Sequence, residues 1–190
     1  MKRRTPVLAA VLLTAGVLSS SEAIAGSAVT ADLARPAQAV SGPSAREHGG
    51  HQRGFDRFLR RYEAANSAFL NGDPKPWLAI VTKHEPASIF GGFGGLGESG
   101  VEEVGERYLL AARAFLPSGA EADFEYLVTD VRGKLAYTVA IERADVLYAG
   151  HTEVEPQVLR VTMMFRFERG GWKIIHRHAD MMVELQLPTP

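Results

Sequence analysis

After Phe115 nothing in the chain repeats with a helical period. Four segments, "DFEYLVTDVRG", "LAYTVAIERADVLYAG", "PQVLRVTMMFRFERGG" and "WKIIHRHADMMVEL", are rich in β-branched and aromatic residues and are separated by turn residues. Such a run predicts a meander of antiparallel strands, and what precedes it decides how the meander is covered. Phe55, Phe58, Leu59, Tyr62, Ala65 and Phe69 recur at three- and four-residue steps, with Arg57, Arg60, Arg61 and Glu63 between them, until Asn71-Gly72 closes the pattern. That spacing predicts one amphipathic helix. A shorter apolar piece, "WLAIVT", predicts a second, and Val101, Val104, Tyr108, Ala111, Ala112 and Phe115 predict a third, ended by Pro117-Ser118-Gly119. Between the second and third, "ASIFGGFGGLGESG" reads as a short strand breaking into a glycine loop. The loop lacks the Gly-Lys-Ser/Thr ending of a phosphate-binding loop, so its glycines read as bends or close approaches. Helices first and strands after give an α+β domain with the helices on one sheet face.

The ends of the chain read differently. Lys2, Arg3 and Arg4 form a cationic start, Val7 to Leu18 is a short apolar run, and Ala23-Ile24-Ala25 is a small-x-small cleavage site before Gly26. Residues 1–25 are therefore expected to be an export signal, with Ala37-Gln38-Ala39 as an alternative cut. The mature protein is expected to be secreted or extracytoplasmic, with no membrane association after cleavage. Residues 26–50, rich in Ala, Ser, Gly and Pro without sustained periodicity, are expected to be a flexible linker. His48 and His51 near its end are expected to be solvated, since two imidazoles fall short of a closed zinc shell. The folded domain then occupies residues 51–190. With no cysteine in the chain, its stability must come from its core. A formal net charge of -1 with interspersed charges excludes a nucleic-acid surface.

The final hairpin carries the candidate chemistry. With Gly170-Gly171 as a two-residue turn, Glu168 meets Lys173, Phe165 meets His176, Met163 meets His178 and Val161 meets Asp180. Leu159, Val161, Met163, Phe165 and Phe167 then form one apolar face, and His176, His178 and Asp180 share it. The opposite face carries Arg160, Thr162, Met164, Arg166, Ile175 and Arg177. Glu142 and Arg143 are strand neighbours that point to opposite faces, and the sequence leaves open which of them faces inward.

The order of elements, together with "IFGGFGG", "VEEVGERY", "LAYTVAIER", "LRVT" and "WKIIHRHAD", resembles the SnoaL-like branch of the nuclear transport factor 2-like superfamily, over about residues 52 to 184. The resemblance implies a cone: a curved antiparallel sheet wrapped around a long N-terminal helix, with two further helices and an enclosed pocket. It also implies a homodimer through the outer sheet face. Ketosteroid isomerase-like relatives use a carboxylate base, a tyrosine and a protonated acid. Tyr62 resembles such a donor, whereas "SIFGGFG" offers no acid where the base is expected.

From these readings the pocket is expected to bind a small, mostly apolar molecule. His176 and His178 would form its polar end, with Tyr62, Trp77, Phe90 and Tyr108 in its wall. The enzymatic alternative is isomerisation, cyclisation or dehydration without cofactor. In it His178, steered by Asp180, or Glu142 moves the proton. No metal is expected, because the histidines lack a placed third ligand. A third reading is a dimeric interaction module with a filled cone.

Overall fold

The computed structural model describes residues 45–183, and the expected export signal and most of the expected linker lie outside them. The helices come first: α1 (Ala45–Leu70), α2 (Lys75–Ile80) and, after two short strands, α3 (Val101–Ala112). The strands are β1 (Ser88–Phe90), β2 (Glu98–Ser99), β3 (Phe115–Leu116), β4 (Asp123–Arg132), β5 (Leu135–Tyr148), β6 (Glu155–Glu168) and β7 (Gly171–Met181). Among the described residues no helix is long and apolar enough to cross a membrane.

The apolar stripe read from the sequence is the buried face of α1: Phe55, Phe58, Tyr62, Ala65 and Phe69 are all in the core. The helix begins at Ala45, so residues 45–50 are helical rather than tether. His51 is not solvated either. Its ring packs against Phe167 and Trp172, with centroids 4.8 and 6.2 Å away. At the other end of α1, Asn71 ties the helix to the turn before β4. Its side-chain oxygen accepts from the amides of Ser118, Gly119 and Ala120, while its amide group donates to the carbonyls of Ser67 and Ala120.

The sheet runs in the order β2-β1-β7-β6-β5-β3, with β4 also paired to β5. It is mixed rather than wholly antiparallel, because β1 lies parallel to β7. The long antiparallel ladders β4–β5, β5–β6 and β6–β7 make up the expected meander. Phe115, expected in the last turn of α3, opens β3 instead and packs its ring on Phe69 and Tyr148. Three helices and a strongly curled sheet give the expected α+β cone.

The last hairpin departs from the expected register in two ways. The turn is Arg169-Gly170, both with positive φ (48° and 84°), which is the backbone of a two-residue primed turn. Moving the turn back one residue shifts the pairing by two and leaves every side chain on its face, so Phe167 meets Trp172 and Phe165 meets Ile174. A bulge then supplies the odd step. Ile175 is the extra residue, and beyond it Met164 pairs with His176, Met163 with Arg177 and Thr162 with His178. Because side chains alternate with a period of two, this single step turns His176, His178 and Asp180 to the outer face. It brings Arg177 and Ala179 inward, and both are buried.

Candidate functional site

The inward turn of Arg177 has one charge to meet. On β5, Glu142 faces the core, while Arg143 points out and pairs with Glu125 at 2.9 Å. Arg177 donates to Glu142 through both terminal nitrogens, Nη2 to Oε2 at 2.7 Å and Nη1 to Oε1 at 3.0 Å. Tyr62 on α1 donates its hydroxyl to the same Oε1 and accepts from Arg177 Nη1 at 3.3 Å. Glu142 is 5% exposed and Arg177 8%, so this is a buried, two-pronged ion pair with a phenol attached. The Arg177 guanidinium lies over the Trp77 ring, 5.5 Å from its centroid.

The pair sets the electrostatics around it. Burial, reinforced by the negative charge of Glu142, holds the Tyr62 phenol well above its ordinary pKa despite the opposing Arg177. For Arg177, burial acts to lower the pKa, but Glu142 outweighs it and the guanidinium is held protonated even more firmly than usual. Burial also pushes Tyr108 up to about 12, again against Arg177. The indole N–H of Trp77 acts the other way and lowers that value. Yet the two do not meet in hydrogen-bond geometry, and both Trp77 Nε1 and the Tyr108 hydroxyl are buried without a partner.

Beside this cluster lies a cavity of about 60 Å³. That is several times the room a single water needs, about 10–15 Å³. Glu142 and Arg177 contribute to its wall, as do Trp77 and Tyr108, and the remaining contacts are largely apolar: Phe69, Phe115, Ile89 and Leu159 among them. The glycine loop after β1 closes one side. Gly92 lies close to Leu159: an added Cβ would sit 3.2 Å from Leu159 Cδ2, so a larger residue there would have to displace that side chain by a few tenths of an ångström. Arg107 on α3 fastens the loop by donating to the carbonyl of Gly94 and pairing with Glu98 at 3.5 Å.

Of the residues singled out from the sequence, the structure brings together Tyr62, Trp77, Tyr108 and Glu142. It does not bring His176, His178, Asp180 or Phe90 to them. On β1, alternation turns Ile89 into the cavity wall and Phe90 outward, where Phe90 is 47% exposed and its ring lies 5.9 and 5.2 Å from those of His176 and His178. His176 Nδ1 is hydrogen-bonded to Ser88 Oγ at 2.8 Å. Burial, then the neighbouring His178, draws His176 below the ordinary imidazole value, against the opposing Ser88 bond. His178 Nε2 lies 3.3 Å from Asp180, with both side chains about half exposed. Among the described residues no cluster of three or more metal-ligating side chains forms.

Sequence reasoning missed Arg177. An arginine in an alternating strand reads as solvated, and only the consecutive apolar pair Ile174-Ile175 hints that the alternation breaks before it.

With this geometry in place, the comparisons define the class. The SnoaL-like domain family matches residues 61–184, and the chain belongs to that family. No curated protein matches. The solved structures that resemble it include a nuclear transport factor 2-like superfamily protein from Salmonella enterica, at 15% identity and a TM-score of 0.56, covering 76% of this chain and 97% of that one. A ketosteroid isomerase-like protein from Erwinia carotovora atroseptica is 16% identical with a TM-score of 0.54, over 66% of this chain and 94% of that one. A member of the nuclear transport factor 2-like family from Streptomyces avermitilis, provisionally named a dehydratase, is 18% identical with a TM-score of 0.57, over 70% and 99%. At these identities the likeness speaks for the fold alone.

Proposed function

We propose that this SnoaL-like domain binds a small, mostly apolar molecule in the cavity beside the Glu142–Arg177 pair. The observation that carries this reading is the cavity itself: a space walled largely by core side chains and bordered by a fixed cluster of polar groups. Proton-transfer chemistry has less support. Both oxygens of Glu142 are engaged by Arg177, one also by Tyr62, so the carboxylate is committed to the protein's own donors. His178 and Asp180 lie on the other face of the sheet, away from the cavity. The cationic start and the apolar run that follows support export of the domain, and the exposed outer sheet face supports pairing of two copies.

Native mass spectrometry of protein purified without denaturation tests the binding reading. The expected result is a bound small molecule that is released on unfolding. It should be absent from Ala144→Leu, which adds bulk to the cavity wall. Retention of the same molecule by a folded Ala144→Leu protein would place binding elsewhere.

A further inference from the structure

The solvent side of α1, opposite its buried stripe, is dominated by arginine. Arg53, Arg57, Arg60 and Arg61 are all exposed, and their spacing puts them on one side of the helix. With a rise of about 1.5 Å per residue, Arg53, Arg57 and Arg61 follow one another at about 6 Å along the axis. Elsewhere Arg107, Arg132, Arg143, Arg160, Arg166 and Arg177 each pair with a carboxylate. Among the described residues none of the four on α1 does. Arg60 reaches only the backbone carbonyl of Asp56, at 3.3 Å, and the Asp56 carboxylate accepts from Gln52 at 3.1 Å. Like charges four residues apart repel and weaken a helix, so the pairs Arg53/Arg57 and Arg57/Arg61 work against folding. An arrangement that costs the helix stability and is left unmatched points outward, to an external anion.

We propose that this stripe binds a linear polymer of phosphate groups laid along α1. Its cations are all guanidinium groups, whose planar fork of donors matches a phosphate better than the point charge of a lysine does. The stripe is also narrow. Beside it β4, tied to α1 by the 3.0 Å bond from the Tyr126 hydroxyl to Glu63, carries the exposed carboxylates of Asp123 and Glu125. A single chain follows the arginines and avoids them, whereas a broad anionic surface such as a bilayer meets both. No exposed apolar side chain lies between the arginines to enter a bilayer, and no exposed aromatic ring is there to stack the bases of a single-stranded nucleic acid. The proposal stands apart from the cavity, whose wall contains none of the four arginines.

Calorimetric titration of the full chain with inorganic polyphosphate tests it, with free phosphate, poly-L-glutamate, a thymidine oligonucleotide and phosphatidylglycerol vesicles as comparators. Polyphosphate is expected to bind most tightly. Four contacts that each release a counterion give a slope of log K against log salt of about −3, so affinity should fall about fiftyfold from about 50 to about 200 mM salt. Arg57→Gln/Arg61→Gln removes two contacts and should bring the slope to about half. The same variant relieves the repulsion along α1, so it should fold with an unchanged or higher Tm, which separates lost binding from lost structure. A slope and affinity unchanged in the folded variant would place any binding on another surface and overturn the assignment. Free phosphate binding as tightly as the polymer would replace the stripe by a point site, and poly-L-glutamate binding equally would remove the preference for phosphate. Tighter binding to the vesicles or the oligonucleotide would overturn the linear-polymer assignment, as would no binding of polyphosphate at low salt.

Discussion

Replacing Arg177 by Met removes the guanidinium while keeping most of the side-chain length. Glu142, 5% exposed, then loses contacts at 2.7 and 3.0 Å and retains only the Tyr62 hydroxyl. Removing one partner of a buried ion pair leaves the other charge unpaired in a poor solvent, which costs about 3–5 kcal/mol. Against a total stability of about 5–15 kcal/mol for a domain, that is a large fraction. Glu142→Leu should cost a similar amount for the mirror-image reason. The double variant Glu142→Leu/Arg177→Met contains no stranded charge, and replacing a buried pair by apolar groups is often close to neutral. It should recover to within about 2 kcal/mol of the parent protein, a coupling far outside additivity. Urea unfolding followed by tryptophan fluorescence and circular dichroism measures all four proteins. If each single change costs under about 1 kcal/mol and the two simply add, the pair is not the buried unit described.

Asn71→Ala should destabilise the domain by about 2 kcal/mol or more in the same assay, because the amides of Ser118, Gly119 and Ala120 lose their shared acceptor; a change under about 0.5 kcal/mol would show that the turn does not depend on it. His176 should titrate below 6.5 by NMR. An unfolded imidazole then takes up its proton before the folded one, so this residue's contribution to stability is complete above 6.5 and declines as the pH falls from there toward the folded value. His176→Gln should flatten that decline, and a midpoint at or above 6.5 would contradict the assignment. Met164, 42% exposed on the outer face beside Thr162 and Ile175, is expected in a homodimer contact. Met164→Asp should sediment as a folded monomer, and a parent protein that is monomeric at high concentration would refute the contact.

Much of the fold was legible because it is periodic. The α1 stripe from Phe55 to Phe69 and the α3 stripe through Val104 and Tyr108 name their own buried faces, and the turn residues mark the hairpins. The site was legible only in part. Tyr62 and Tyr108 lie on those helix stripes, so their inward direction follows from spacing, and Trp77 opens the apolar piece read as the second helix. Glu142 and Arg143 did not declare themselves, because a strand carrying neighbouring opposite charges is equally consistent with either facing in. The bulge at Ile175 was hidden for a related reason. Ile174 and Ile175 are both apolar, so sequence alone cannot say which is the extra residue, and every assignment beyond them inherits the ambiguity. Arg177 became visible only with the carboxylate it meets across the sheet, a contact between residues 35 apart in the chain. The parallel pairing of β1 with β7 was likewise beyond local pattern, since it joins segments separated by most of the domain.

A crystal structure of protein purified from its native host without denaturation tests the binding cavity most directly. The predicted result is continuous density for a compact molecule among Phe69, Phe115, Ile89 and Leu159. The contradicting result is a closed core in which these side chains fill the space.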